Sequence, residues 1–156
     1  MKKLICMFVS LCLILALAGC GASGTKSVST GKQTAAATFY LNDISADVSV
    51  DISGGWSIEF STGAVYLYDG ENDGQREAIA HGYIIDQAEY DENVTEYRDY
   101  ESFTEVENGV KFSEGEGGSN KYLFAVGNGL YYMIAANQDA DAESIYARFE
   151  VKPGMS

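Results

Sequence analysis

From residue 39 to residue 136 the apolar residues of this chain recur at every second position in short runs, and glycine separates most of the runs. Val48, Val50 and Ile52 alternate with Asp47, Ser49 and Asp51, and Trp56, Ile58 and Phe60 alternate with Ser57, Glu59 and Ser61. A period of two sends successive side chains to opposite faces of a strand, so each run predicts a strand with one buried and one wet face. Gly54-Gly55 and Ser61-Thr62-Gly63 predict the turns between runs. Residues 64–68 make a third strand, with Val65 and Leu67 on one face and Tyr66 and Tyr68 on the other. Residues 78–86 make a fourth, beyond a polar loop.

Two hairpins complete the strand set. Residues 103–107 and 110–113 flank Asn108-Gly109, a strong hairpin signal because both residues tolerate positive φ. Residues 121–126 and 130–136 flank Gly127-Asn128-Gly129. Both of these strands are apolar on both faces, which places them in the middle of a sheet covered on both sides. Elsewhere the period changes. Tyr90, Val94, Tyr97 and Glu101 fall at helical spacing within residues 87–102. Ala142, Ile145, Tyr146 and Phe149 form an apolar stripe over residues 139–149, with Asp139 or Asp141 as cap and Pro153-Gly154 as stop. The expected domain, residues 39–156, is therefore α+β: a mainly antiparallel sheet of about seven or eight strands with two helices. This element order, ending in a buried hairpin and a helix, resembles the Mog1/PsbP-like domains. No sequence motif of that family is present, so the resemblance implies an arrangement and no function.

The N-terminus has a different texture. Met1-Lys2-Lys3 precedes residues 4–18, in which Ser10 is the one clearly polar residue. The run is shorter than the roughly 20 apolar residues of a membrane span. A basic start, a short apolar stretch and small residues make the layout of a secretory signal. A buried N-terminal helix is the competing reading, but no polar face breaks the run. Leu17-Ala18-Gly19-Cys20 then resembles the bacterial lipobox, a likeness confined to the first 20 residues. The resemblance implies a lipoprotein: residues 1–19 are a signal peptide cut before Cys20, the Cys20 thiol carries diacylglycerol, and the chain is held at the extracytoplasmic face of the cell membrane. An ordinary signal with a chance cysteine is the alternative.

Cysteine usage agrees with export. Cys6 and Cys12 leave with the signal and Cys20 takes the lipid, so the domain has neither a disulfide nor a thiolate metal site. It has to rely on core packing, which a domain of about 115 residues can supply. Residues 20–38 are expected to be the lipidated cysteine and a flexible linker of Gly, Ser, Thr, Ala, Lys and Gln, with a reach of roughly 20–25 Å. Charge is lopsided beyond it. All 23 acids lie after residue 39 with six bases, a formal −17 for the domain. That excludes nucleic acid, whose phosphates such a surface repels, and it opposes lying flat on anionic lipid.

Residues that could carry chemistry are few. His81, the one histidine, lies between Ile79 and Tyr83 on the same strand face. It is either a general base or a hydrogen-bonded, partly buried packing residue. GxSxG and HExxH are absent, a single histidine makes a zinc site improbable, and no cofactor is implied. Asp69, Glu71, Asp73 and Gly74 have the spacing of a calcium loop, but its twelfth position is Ala80 instead of glutamate, so a polar turn is the stronger reading. Tyr66 and Tyr68, opposite the core-facing Val65 and Leu67, are expected to be at least partly exposed and to contribute to a binding surface. Packing under a helix is the alternative. The expected function is a membrane-anchored, non-catalytic binding or accessory domain acting on an envelope protein or polymer. The alternatives are a small envelope enzyme with an acidic site around His81 and an inhibitor-like interaction module.

Overall fold

A computed structural model of the chain describes residues 23–29 and 32–154; Cys20 and residues 1–19, expected to be a signal peptide, lie outside the described residues. The chain runs β1 (Ser23–Ser29), β2 (Lys32–Leu41), β3 (Ile44–Asp51), β4 (Ser57–Ser61), β5 (Ala64–Tyr68), β6 (Ala80–Ile85), α1 (Gln87–Tyr97), β7 (Thr104–Val106), β8 (Gly109–Ser113), β9 (Ser119–Gly127), β10 (Leu130–Asn137), α2 (Ala142–Tyr146) and β11 (Phe149–Pro153). The fold is α+β and mainly antiparallel sheet. One sheet has the order β1-β2-β3-β11 and the other the order β4-β5-β6-β10-β9-β8-β7. All eight strands expected from the alternation are present, as β3 to β10. The two strands that are apolar on both faces, β9 and β10, sit inside the larger sheet.

Five expectations need correction. The linker expected over residues 20–38 is shorter, because β2 begins at Lys32 and buries Ala35 and Ala37 beside Phe39. The triple alanine of residues 35–37 hides a period of two that only the partner strand reveals: Ala35 opposes Val50 and Ala37 opposes Val48. Ser23–Ser29 in turn pairs along β2. Second, the helix expected over 139–149 is the short α2, and Phe149 and Val151 alternate along β11, where they oppose Val50 and Val48. Helical and strand readings of Phe149 both place it inward, so its spacing from Ile145 did not separate them. Third, the first helix is also shorter than expected, ending at Tyr97 with Glu101 exposed. Fourth, Gly54-Gly55 is not a hairpin turn. Both glycines have positive φ, 83° and 90°, and they carry the chain from β3 in one sheet to β4 in the other. Fifth, the Asn108-Gly109 turn is shifted. Val106 opposes Gly109, so Glu107 and Asn108 form the turn, and a Cβ on Gly109 would overlap the Leu123 carbonyl.

The main core lies between the sheets. Ala35, Ala37, Phe39, Ala46, Val48 and Val50 face Val65, Leu67, Ile84, Tyr132 and Ile134, and α2 closes one side with Ile145 and Tyr146. Tyr132 is fully buried, and a Cβ on Gly82 would lie 2.5 Å from its hydroxyl, so glycine is needed there for the ring to fit. At the crossover Arg148 lies over the Trp56 ring, 3.9 Å from the centroid. It donates from one terminal nitrogen to the carbonyls of Asp51 (2.9 Å) and Ser53 (3.3 Å). Trp56 therefore packs at the margin of the core. A second core lies on the outer face of the larger sheet, where Tyr90, Val94 and Tyr97 of α1 cover Ile85, Val110, Phe112, Leu123 and Met133. No helix among the described residues is long and apolar enough to cross a membrane.

Candidate binding face

The outer face of the larger sheet is covered only in part, and geometry explains why. Seven strands at 4.8 Å spacing span roughly 29 Å, whereas one helix is about 10–12 Å across. Helix α1 is fixed over the β10–β8 half. Asp86 caps it by accepting from the Glu89 N–H (2.9 Å), Tyr90 stacks on Tyr131 at 4.2 Å, and Tyr97 stacks on Phe112 at 4.4 Å. The Tyr131 hydroxyl donates to Gln87 (2.6 Å). Among the described residues no helix lies over β4, β5 and the His81 end of β6, whereas Tyr83 and Ile85 of β6 pack at the α1 margin.

Register places a row of side chains across this open half. Tyr66 opposes His81, His81 opposes Ala135, and Ala135 opposes Lys121, with Glu59 beyond Tyr66 at the edge. Tyr66, His81 and Tyr83 are all half-buried. Their rings form a continuous line: Tyr66 to His81 is 6.1 Å between centroids, and His81 to Tyr83 is 5.7 Å with the rings 9° from parallel. His81 makes ring contacts with Tyr66 and Tyr83, and among the described residues no carboxylate hydrogen-bonds its imidazole. Burial and the nearby Lys121 ammonium push its pKa below the usual value, against the opposing pull of Glu114, so the ring is neutral at pH 7. Burial, then Glu89 and Glu114, pushes the Tyr83 hydroxyl up.

A charged brace closes the α1 side of the row. Glu114 Oε1 lies 2.6 Å from Lys121 Nζ, Oε2 accepts from the Ser119 N–H (3.0 Å) and hydroxyl (2.7 Å), and the Tyr97 hydroxyl donates to Oε1 (3.3 Å). Burial alone would raise the Glu114 carboxyl, but Lys121 and the two Ser119 donors outweigh it and bring the pKa down to about 2. The Tyr97 hydroxyl is pushed up to about 12 by burial and by Glu114. Lys121 also lies over the Tyr97 and Phe112 rings, at 5.7 and 6.0 Å.

The two tyrosines singled out in the sequence separate here. Tyr66 stays partly open, as expected. Tyr68 does not: it is 7% exposed, a correction to the expected exposed pair. The loop over residues 69–79 folds back along the strand. Asn72 donates to Glu59 Oε2 (3.4 Å), which also accepts from the Tyr68 hydroxyl (3.2 Å), and the Ser57 hydroxyl donates to the Gly70 carbonyl (2.5 Å). Tyr68 is thus a packing residue beneath that loop.

The same loop carries the calcium-like spacing, and the Asp73 carboxylate is turned to its own backbone. Asp73 Oδ1 accepts from the N–H groups of Gln75 (2.9 Å) and Arg76 (3.2 Å), and Asn72 accepts from the Gly74 N–H (2.9 Å). These bonds, the Gln75 N–H first, hold the Asp73 carboxyl below its ordinary pKa. The Arg76 guanidinium donates to the Asp69 carbonyl and lies against Gly70, so the loop is closed by its own cation. Among the described residues no three Asp, Glu, His or Cys side chains converge as a metal site. Sequence reasoning missed Tyr83 and the Glu114–Lys121 brace. Tyr83 shares a strand face with His81 and was within reach of the period-two argument. The brace depends on sheet register and had no local signal. Compared with known proteins, the chain matches no family model, no curated protein and no solved structure.

Proposed function

We propose that the chain is a bacterial lipoprotein, anchored through lipid on Cys20 to the extracytoplasmic face of the cell membrane. Its domain acts as a non-catalytic binding or accessory module for an envelope protein or polymer, and the binding face is the open half of the larger sheet, with Tyr66 at its centre. The observation that carries the reading is the half-buried ring line Tyr66–His81–Tyr83, which runs from the uncovered strand β5 to the margin of the core under α1. Aromatic side chains of this kind supply wide, rigid contact area with polar tips, and partners anchor on them. Lipobox residues Leu17-Ala18-Gly19-Cys20 support the anchor.

One observation favours a small enzyme with an acidic site around His81: a neutral imidazole near Glu114 is chemically able to take a proton. The ring neighbours of His81 are tyrosines, however, and a base needs a nucleophile or substrate proton in reach. Binding is therefore the better supported reading. The test is capture of envelope partners from detergent-solubilised membranes by the wild type and by Tyr66→Ala. An aromatic anchor of this kind is worth about 2 kcal/mol, or roughly thirtyfold in affinity. Loss of the captured partner with retained folding is the expected result. Undiminished capture by Tyr66→Ala would remove this face from the account.

A further inference from the structure

Of the three large hydrophobics exposed among the described residues, Tyr40 at 59% and Ile44 at 36% lie together at the β2–β3 turn, and Tyr100 lies apart after α1. Leu41 opposes Ile44 to close that turn, and Asn42 takes the positive φ of 55° that it needs. The β6–α1 junction at Asp86 and Gln87 and the β9–β10 turn at Asn128 and Gly129 border the same cleft as Leu41 and Ile44, so these turns form one end of the molecule. The loops at residues 69–79 and 114–118 lie at the opposite ends of their strands.

The chain also enters at the Tyr40 end. Strand β1 pairs with β2 from Ser23 opposite Thr38 to Ser29 opposite Lys32. Ser23 is therefore opposite Thr38, two residues before Tyr40, and two residues, Gly21 and Ala22, separate it from Cys20. Three Cα spacings reach about 11 Å at most. A lipid on Cys20 thus fixes the bilayer surface close to Tyr40 and Ile44. We infer that this end of the domain rests on the lipid surface, with Tyr40 and Ile44 as its contact. The inference rests on the anchor reading given above.

The chemistry of the end agrees. A tyrosine suits the headgroup region because its ring is apolar and its hydroxyl stays wet. The domain-wide negative charge opposes lying flat on anionic lipid, and an end-on contact presents Asp43 and Asp86 beside the tip in place of the whole acidic surface. Asp86 is already engaged as the α1 cap. With the strands upright, the Tyr66–His81–Tyr83 line faces sideways, clear of the bilayer and open to a partner.

The chain has no cysteine after Cys20, so a single introduced thiol can be labelled on the lipidated protein. Fluorophores at Asp43→Cys and Glu116→Cys, both exposed turn or loop positions, would be read in vesicles containing a headgroup-attached quencher. The two labels lie at opposite ends of strands about 25–30 Å long. Fatty-acid labelling of the same samples reports whether Cys20 carries lipid. The expected result is lipid on Cys20, several-fold quenching at residue 43 and none at residue 116. Lipid on Cys20 with equal or reversed quenching overturns the orientation and leaves the anchor standing. No lipid on Cys20 overturns both.

Discussion

Replacing Glu114 by glutamine removes the charge that braces the open face while keeping the side chain's size and an acceptor for Ser119. The carboxyl is held at about 2, against an ordinary value near 4.3. The gap between these values corresponds to about 3 kcal/mol of preference for the charged form in the folded chain. A quarter of the Glu114 side chain is exposed, and solvent screening reduces that figure to about 1–2 kcal/mol. The sign follows from the direction of the shift. Because the folded pKa lies below the unfolded one, the stabilisation is fully present above about pH 4.3 and is lost as pH falls toward 2. Lys121, with 14% of its side chain exposed, is left without its carboxylate in the variant. Urea unfolding at pH 7 should show Glu114→Gln less stable by about 1–2 kcal/mol, a midpoint shift near 1 M. At pH 2.5 the difference should shrink to about a quarter of that value. An equal deficit at both pH values would mean that the carboxylate's charge is not what holds the brace, and no deficit at pH 7 would mean that the pair contributes nothing.

Tyr68→Ala should destabilise the domain by about 2–4 kcal/mol, since it empties a buried site beneath the 69–79 loop, whereas Tyr66→Ala should cost under about 1 kcal/mol; thermal unfolding of the two variants separates them. Gly82→Ala should cost about 1–3 kcal/mol by forcing Tyr132 off its position between the sheets, measured by denaturant midpoint. A chain starting at Phe39 should lose its cooperative transition because Ala35 and Ala37 no longer pair with Val50 and Val48, while one starting at Lys32 keeps it; circular dichroism melting reads both.

Legibility in the sequence followed how local each determinant is. The eight strands from Ile44 to Asn137 are amphipathic or doubly apolar over five or more residues in most cases, and a period of two is a property of the run itself. Strand β2 was hidden because alanine satisfies both faces, and composition then resembled a linker. Strand β11 was hidden because Phe149 is also compatible with the end of a helical stripe. The division into two sheets had no local signature: Gly54-Gly55 looks the same whether the chain reverses within a sheet or crosses to another. For the candidate face, the side of the sheet on which Tyr66 stands was readable from its offset to Val65 and Leu67, whereas the side of His81 needed the sheet register. The burial of Tyr68 was not, because it depends on where a nine-residue polar stretch folds, and Asn72 reaching Glu59 is a contact between residues 13 apart. The Glu114–Lys121 brace joins the ends of a loop and acquires its meaning from Tyr97, which another element delivers.

The most direct test of the account is the intact mass of the N-terminal peptide from the protein purified out of bacterial membranes. A peptide beginning at Cys20 with the added mass of diacylglycerol, lost in Cys20→Ala, is the predicted result. An unmodified Cys20, or a chain that still carries residues 1–19, would contradict the anchor and with it the proposed role at the membrane surface.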